Sequence, residues 1–106
     1  MDAQFRELLH TFRREMEAVY GPRLRGVYLY GSFARGTHQS GSDVDLLVVL
    51  DRVADYGAEI DRTSEATARL SLEHGVSLSR VFASEDEWAG AGPPFFTSVR
   101  EGAVAV

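Results

Sequence analysis

The chain has 106 residues, enough for one domain of about 100–200 residues, and a domain of this size buries only about 60–70% of its unfolded surface, which favours an open cleft completed by substrate or partner. Sixteen acids against eleven basic residues give a net charge of −5, which disfavours a broad surface for wrapping nucleic acid and leaves polyanion binding to a local patch. The absence of both Cys and Lys excludes disulfides, zinc-thiolate sites, thiol nucleophiles, Schiff bases and the Lys-bearing phosphate loop.

A 44% hydrophobic, 25% charged composition is that of a folded domain rather than a disordered one. All eleven basic residues are Arg; GC-rich codon usage explains this, although Arg also suits phosphate recognition. The longest apolar run, Leu46 to Leu50, is far short of the roughly 20 residues that span a bilayer. The polar N-terminus carries no signal-peptide pattern, so a cytoplasmic protein is expected.

From Phe5, apolar residues at Leu8, Leu9, Phe12, Met16, Val19 and Tyr20 trace one face of a helix, ended by Gly21-Pro22. Gly26 to Tyr30 reads as a strand that stops at Gly31. The polar segment Ser32 to Gly41 has room for a helical turn and a loop. Val44 and Leu46 to Leu50 form an apolar strand covered on both faces, the best candidate for the sheet centre. Asp55 caps a second helix running to about Leu72, with Tyr56, Ile60, Thr63, Thr67 and Leu70 inward, and Gly75 stands where a C-terminal cap is expected. A third strand, Val76 to Ala83, precedes the acidic Glu85-Asp86-Glu87 and a short helix bearing Trp88. Gly90 to Pro94 is the clear loop, Phe95 to Glu101 a last short helix, and Ala103 to Val106 either a frayed end or an edge strand. The order predicts an α/β domain of the α+β type, residues 1–106, with about three strands and helices packed on them.

Chemistry concentrates at two places: Gly31-Ser32 directly after the first strand, and Asp43-Val44-Asp45 at the start of the second. Alternation along a strand points Asp43 and Asp45 to one side, about 6–7 Å apart. Two like charges so placed repel, and a divalent cation resolves the repulsion; Mg²⁺ favours one or two carboxylates plus waters and substrate phosphates. A Gly after a strand lets backbone N–H groups approach a phosphate, and a Ser at the following helix start donates to its oxygens. Either feature alone has an ordinary explanation, as solvated acids at a strand end or as a turn Gly with a capping Ser.

Gly31-Ser32-Phe33-Ala34-Arg35-Gly36, then ten residues between Ser32 and Asp43, then Ser42-Asp43-Val44-Asp45-Leu46-Leu47-Val48-Val49, resembles the signature of the nucleotidyltransferase superfamily related to DNA polymerase β. The short length is similar to its minimal nucleotidyltransferases. The resemblance implies a mixed sheet of strand order 1-2-3, Gly31 and Ser32 binding the triphosphate, and Asp43 and Asp45 as catalytic residues holding one or two Mg²⁺ ions. It implies transfer of a nucleoside monophosphate, AMP above all, from an NTP such as ATP to an acceptor hydroxyl. The implied partner is a HEPN-type helical protein, with this chain as antitoxin of a toxin–antitoxin pair; neither membrane nor direct nucleic-acid binding is expected, and homo-oligomerisation stays open. Arg35 either reaches triphosphate oxygens or faces solvent, and His38 either approaches the nucleotide or is a solvated loop residue.

The sequence departs from the family pattern in one respect. Many active members carry a third carboxylate on the next strand, where this chain has Val76-Ser77-Leu78-Ser79-Arg80-Val81, and neither Ser77 nor Ser79 is a competent general base. Water or the acceptor fills the role, Glu73 or Glu85 reaches in, or the domain is a catalytically weak nucleotide-binding module that neutralises its partner by complex formation. Transfer to a small molecule ranks last, since nothing resembles a drug-binding domain.

Overall fold

The computed structural model describes residues 2–106. The first helix, α1 (Ala3–Tyr20), starts where the Asp2 carboxylate accepts the Phe5 N–H at 2.8 Å, an N-cap that satisfies one of the otherwise unpaired first-turn donors. Leu8, Leu9, Phe12, Met16 and Tyr20 are buried as the periodicity predicts, but Val19 is 40% exposed. Its neighbours Glu17, Ala18, Gly21 and Pro22 are exposed too, so in the last turn only Tyr20 reaches the core. After a 3₁₀ turn at Gly21–Arg23, β1 runs Leu24–Tyr30. It starts two residues before the predicted Gly26, because a register shift between Leu24 and Gly26 breaks the alternation by which a strand is read.

The short α2 (Gly31–Arg35) and an exposed loop lead to β2 (Val44–Leu50). Then α3 (Tyr56–His74) is capped by Asp55, whose side chain accepts the Ala58 N–H at 3.1 Å, and ends at Gly75 in the left-handed region. Its inward face is Glu59, Thr63, Ala66, Thr67 and Leu70. Tyr56 is 44% exposed and Ile60 only half-buried, a correction to the predicted face; Tyr56 instead lies edge-on against Phe82 and accepts the Phe82 N–H. The third strand, β3 (Leu78–Ser84), starts two residues later than predicted, and Trp88 sits in a wide π-type turn at Glu87–Ala91 that takes in the first two residues of the expected loop. Finally come α4 (Pro94–Gly102) and β4 (Val104–Ala105).

The sheet has order β3-β2-β1-β4, with β2–β3 parallel and the other pairs antiparallel. It therefore has four strands where about three were predicted: the C-terminal segment pairs with β1 as an edge strand through Tyr28–Ala105 and Leu29–Val104. Central β2 is buried on both faces. Leu46, Val48 and Leu50 face the cluster built by α1 and α3, whereas Leu47 and Val49 meet Phe96 and Val99 of α4. Each fully buried Leu or Val contributes about 1.5–3 kcal/mol, so β2 is the most firmly held segment. Among the described residues no helix is long and apolar enough to cross a membrane.

Glu59, only 2% exposed, ties three elements together. It accepts the Tyr20 hydroxyl at 2.9 Å, Arg23 at 3.1 Å and Arg62 at 2.8 Å, while Arg23 also reaches Asp51 at 3.1 Å. Burial alone would raise this carboxyl, but hydrogen bonds from Arg62, Tyr20 and Arg23 outweigh it and hold it below the ordinary carboxylate range.

Candidate active site

Tyr30, the last residue of β1, pairs with Asp45 on β2. The chain then turns at Gly31, whose φ is +75°, into α2. A Cβ at Gly31 would run into the Asp45 carboxylate, with Cγ at 3.1 Å and Oδ2 closer still. Gly31 is thus required twice, for a left-handed backbone and for space, and the Gly-Ser turn and the second aspartate form one unit. No side chain caps the start of α2, which leaves the first-turn N–H groups beside Ser32 without a side-chain acceptor.

Asp43 is exposed and Asp45 half-buried on either side of the fully buried Val44. The Val44 N–H donates to the Ser77 carbonyl at 2.8 Å, which pins this end of β2 to the chain entering β3. Burial, and then the neighbouring Asp43 charge, push the Asp45 carboxyl above its ordinary range, and Arg35 opposes them. Among the described residues neither carboxylate takes part in an ion pair. Two oxygen-donor side chains outside these ion pairs, one at the surface and one under the Gly31 turn, fit a hard divalent cation such as Mg²⁺.

Arg35 is exposed and borders two cavities. One, of about 240 Å³, lies between Tyr30, Gly31 and Arg35 on one side and Phe95, Ser98, Val99 and Gly102 of α4 on the other. The second, of about 380 Å³, includes Asp2, Phe5, Phe33 and His38. There His38 stacks on Phe33 with ring centres 4.1 Å apart, and Phe33 on Phe5 at 5.0 Å. His38 is thus an exposed loop residue, as one of the two readings held, with one ring face against Phe33 of α2, and neither aspartate lines its cavity.

Ser79 is the register partner of Asp45 across β2–β3, and Leu78 separates it from Ser77. Among the described residues no third His, Asp or Glu joins the pair in a metal-holding group. Glu85 follows the far end of β3, about 16 Å of strand beyond Ser79, where it pairs with Arg25 at 3.6 Å. Glu73 is exposed on α3, a helix that packs on the other face of the sheet. Neither reaches in.

Sequence reasoning missed the α4 wall and Tyr30. The Tyr30 phenol is pushed up to about 12 by burial and then by the nearby Asp45 and Tyr56. Its parity with Tyr28 and its place just before Gly31 were readable signals. The approach of Phe95 and Ser98 to Gly31 depends on tertiary packing some 65 residues away in the chain and left none.

The family model described as "Nucleotidyltransferase domain" matches residues 9–88. A relative in Methanocaldococcus jannaschii bearing the name "Putative protein adenylyltransferase MJ0604" is 31% identical over 78 residues, covering 74% of this chain and 72% of its own. In fold, the chain is similar to a toxin–antitoxin crystallised with AMP-PNP, with a TM-score of 0.66 at 19% identity over 91% of this chain and 69% of that one. It is also similar to a solved "putative minimal nucleotidyltransferase", with a TM-score of 0.61 at 22% identity over 98% of this chain and 90% of that one. A match that runs from the first helix through the three long strands extends well beyond the short motif at the site, and the chain belongs to the nucleotidyltransferase domain family.

Proposed function

We propose that residues 1–106 act as one minimal nucleotidyltransferase domain that moves AMP from ATP to a hydroxyl on a partner protein. The observation that carries this reading is the close fit of Gly31 over Asp45, which joins a phosphate-binding turn to a metal-binding carboxylate. The name of the Methanocaldococcus relative, a protein adenylyltransferase, supports protein as acceptor. The likeness to a toxin–antitoxin crystallised with AMP-PNP supports ATP as donor and a toxin as partner, for which a HEPN-type helical protein is the proposed class.

In this reading Asp43 and Asp45 would hold Mg²⁺, which when bound supplies charge neutralisation on the reacting phosphate and alignment of the attacking and leaving oxygens. Ser32 and the N–H groups at the start of α2 receive phosphate oxygens, and Arg35 pairs with the triphosphate from the side. The acceptor oxygen bonds to the α-phosphorus, pyrophosphate leaves, and the acceptor proton passes to water in the open cleft, since Ser79 does not take it. Labelled ATP, Mg²⁺ and the cognate partner test the reading: label should appear on the partner and fall at least about 100-fold with Asp43→Asn or Asp45→Asn, the scale of losing a principal electrostatic group. Absence of transfer, or transfer unchanged in both variants, defeats it.

A second reading is favoured by one observation, the Ser79 hydroxyl opposite Asp45 where an acid would complete the site. Here the domain neutralises its partner by binding alone. Complex formation would then need no ATP and survive the double Asp→Asn change.

A further inference from the structure

Resting on the transferase reading, we propose that the cavity between β1 and α4 seats the nucleoside of the donor NTP, with Phe95 as its stacking surface. The cavity and the phosphate turn share Gly31 and Arg35, so a group attached to a triphosphate on that turn is carried toward this opening. Its size, about 240 Å³, is below the roughly 300–1,000 Å³ of a drug-sized pocket and suits the base of that nucleoside, with the ribose at the opening.

The walls match a flat, uncharged heteroaromatic ring. Phe95 is 47% exposed although it is large and apolar, and it forms T-shaped pairs with Tyr30 at 6.1 Å and with Phe96 at 5.4 Å. An aromatic ring that neighbours hold in place and that still exposes nearly half its surface stacks on a base at low entropic cost. Val99 adds apolar floor, Ser98 a hydroxyl for ribose or base edge, and among the described residues Arg35 is the one charged group lining the cavity. The acceptor fits it less well: its oxygen has to approach the phosphorus beside the metal-holding carboxylates, and neither Asp43 nor Asp45 lines the cavity.

Calorimetric titration of the whole chain with Mg²⁺ and either AMP-PNP or inorganic tripolyphosphate tests this. The wild-type chain should bind AMP-PNP more tightly than tripolyphosphate. Phe95→Ala should weaken AMP-PNP about tenfold, the scale of losing one base–aromatic stack, and leave tripolyphosphate unchanged. Ser98→Trp, which fills the cavity from an exposed position of α4, should do the same without removing a native contact. Equal wild-type affinity for the two ligands, unchanged AMP-PNP binding in both variants, or equal weakening of both ligands overturns the proposal and leaves the transferase reading standing. Unchanged nucleotide binding with impaired transfer to the partner overturns it in favour of an acceptor pocket. Wild-type protein that binds neither ligand overturns the transferase reading and this inference with it.

Discussion

Ser79 lies directly across the parallel β2–β3 pair from Asp45, and residues so paired share a face of the sheet. Replacing it with an acid places a third carboxylate beside the first two. Ser79→Asp should therefore bind Mn²⁺ about tenfold more tightly, because hard-cation affinity rises with ligand charge, and should lower the metal-free melting temperature through added repulsion. Mn²⁺ binding followed by electron paramagnetic resonance reads the first effect and a thermal melt the second. Unchanged affinity would show that Ser79 stands outside the metal's reach.

The clasp between Gly31 and Asp45 separates two costs that a glycine substitution usually mixes. Gly31→Ala forces a side chain into a backbone at φ +75° and displaces the Asp45 carboxylate, so it should cost about 1–3 kcal/mol and also abolish AMP-PNP binding. Gly75→Ala meets the same backbone problem at φ +64° but faces open space. It should cost about 1–2 kcal/mol and leave nucleotide affinity intact. Urea unfolding with nucleotide titration on both variants checks the contrast, and equal effects on binding would remove the clasp from the site.

Glu59 makes stability depend on pH in a defined direction. Its carboxyl is held below the ordinary range in the folded chain, so its contribution is fully present above the unfolded value of about 4.3 and is lost as pH falls through the lower folded value. Glu59→Gln should cost about 2 kcal/mol at neutral pH, the worth of charge-assisted hydrogen bonds to Arg23 and Arg62, and should flatten the acid limb of the stability curve. Urea midpoints from pH 7 down to about 3 measure both; parallel curves for the two proteins would count against the assignment.

The sequence made the site more legible than the core beside it. Gly31, Ser32, Asp43 and Asp45 stand in a fixed pattern within 15 residues, and strand alternation predicts the two acids on one side, although the strand itself begins at Val44, one residue after Asp43. Central β2 was readable because a short, partly β-branched apolar run fits a strand buried on both faces. Glu59 was not, since a Glu in an amphipathic helix reads as solvated until Tyr20, Arg23 and Arg62 are known to converge on it. The two-residue pairing of Val104–Ala105 with β1 was too short for periodicity to declare, and the bulge at Leu24–Gly26 hid the start of β1 in the same way.

Because β2 is enclosed on both faces, its amides from Leu46 to Val49 should open only with the whole domain and exchange most slowly with solvent. Asp45 immediately precedes this buried run. Just before the acid pair in the chain, Thr37 to Gly41 is exposed throughout and joins it to the Gly31-Ser32 turn. Within the proposed transferase site, local opening is therefore expected in this loop, with the Asp45 carboxylate as a stationary post beside it.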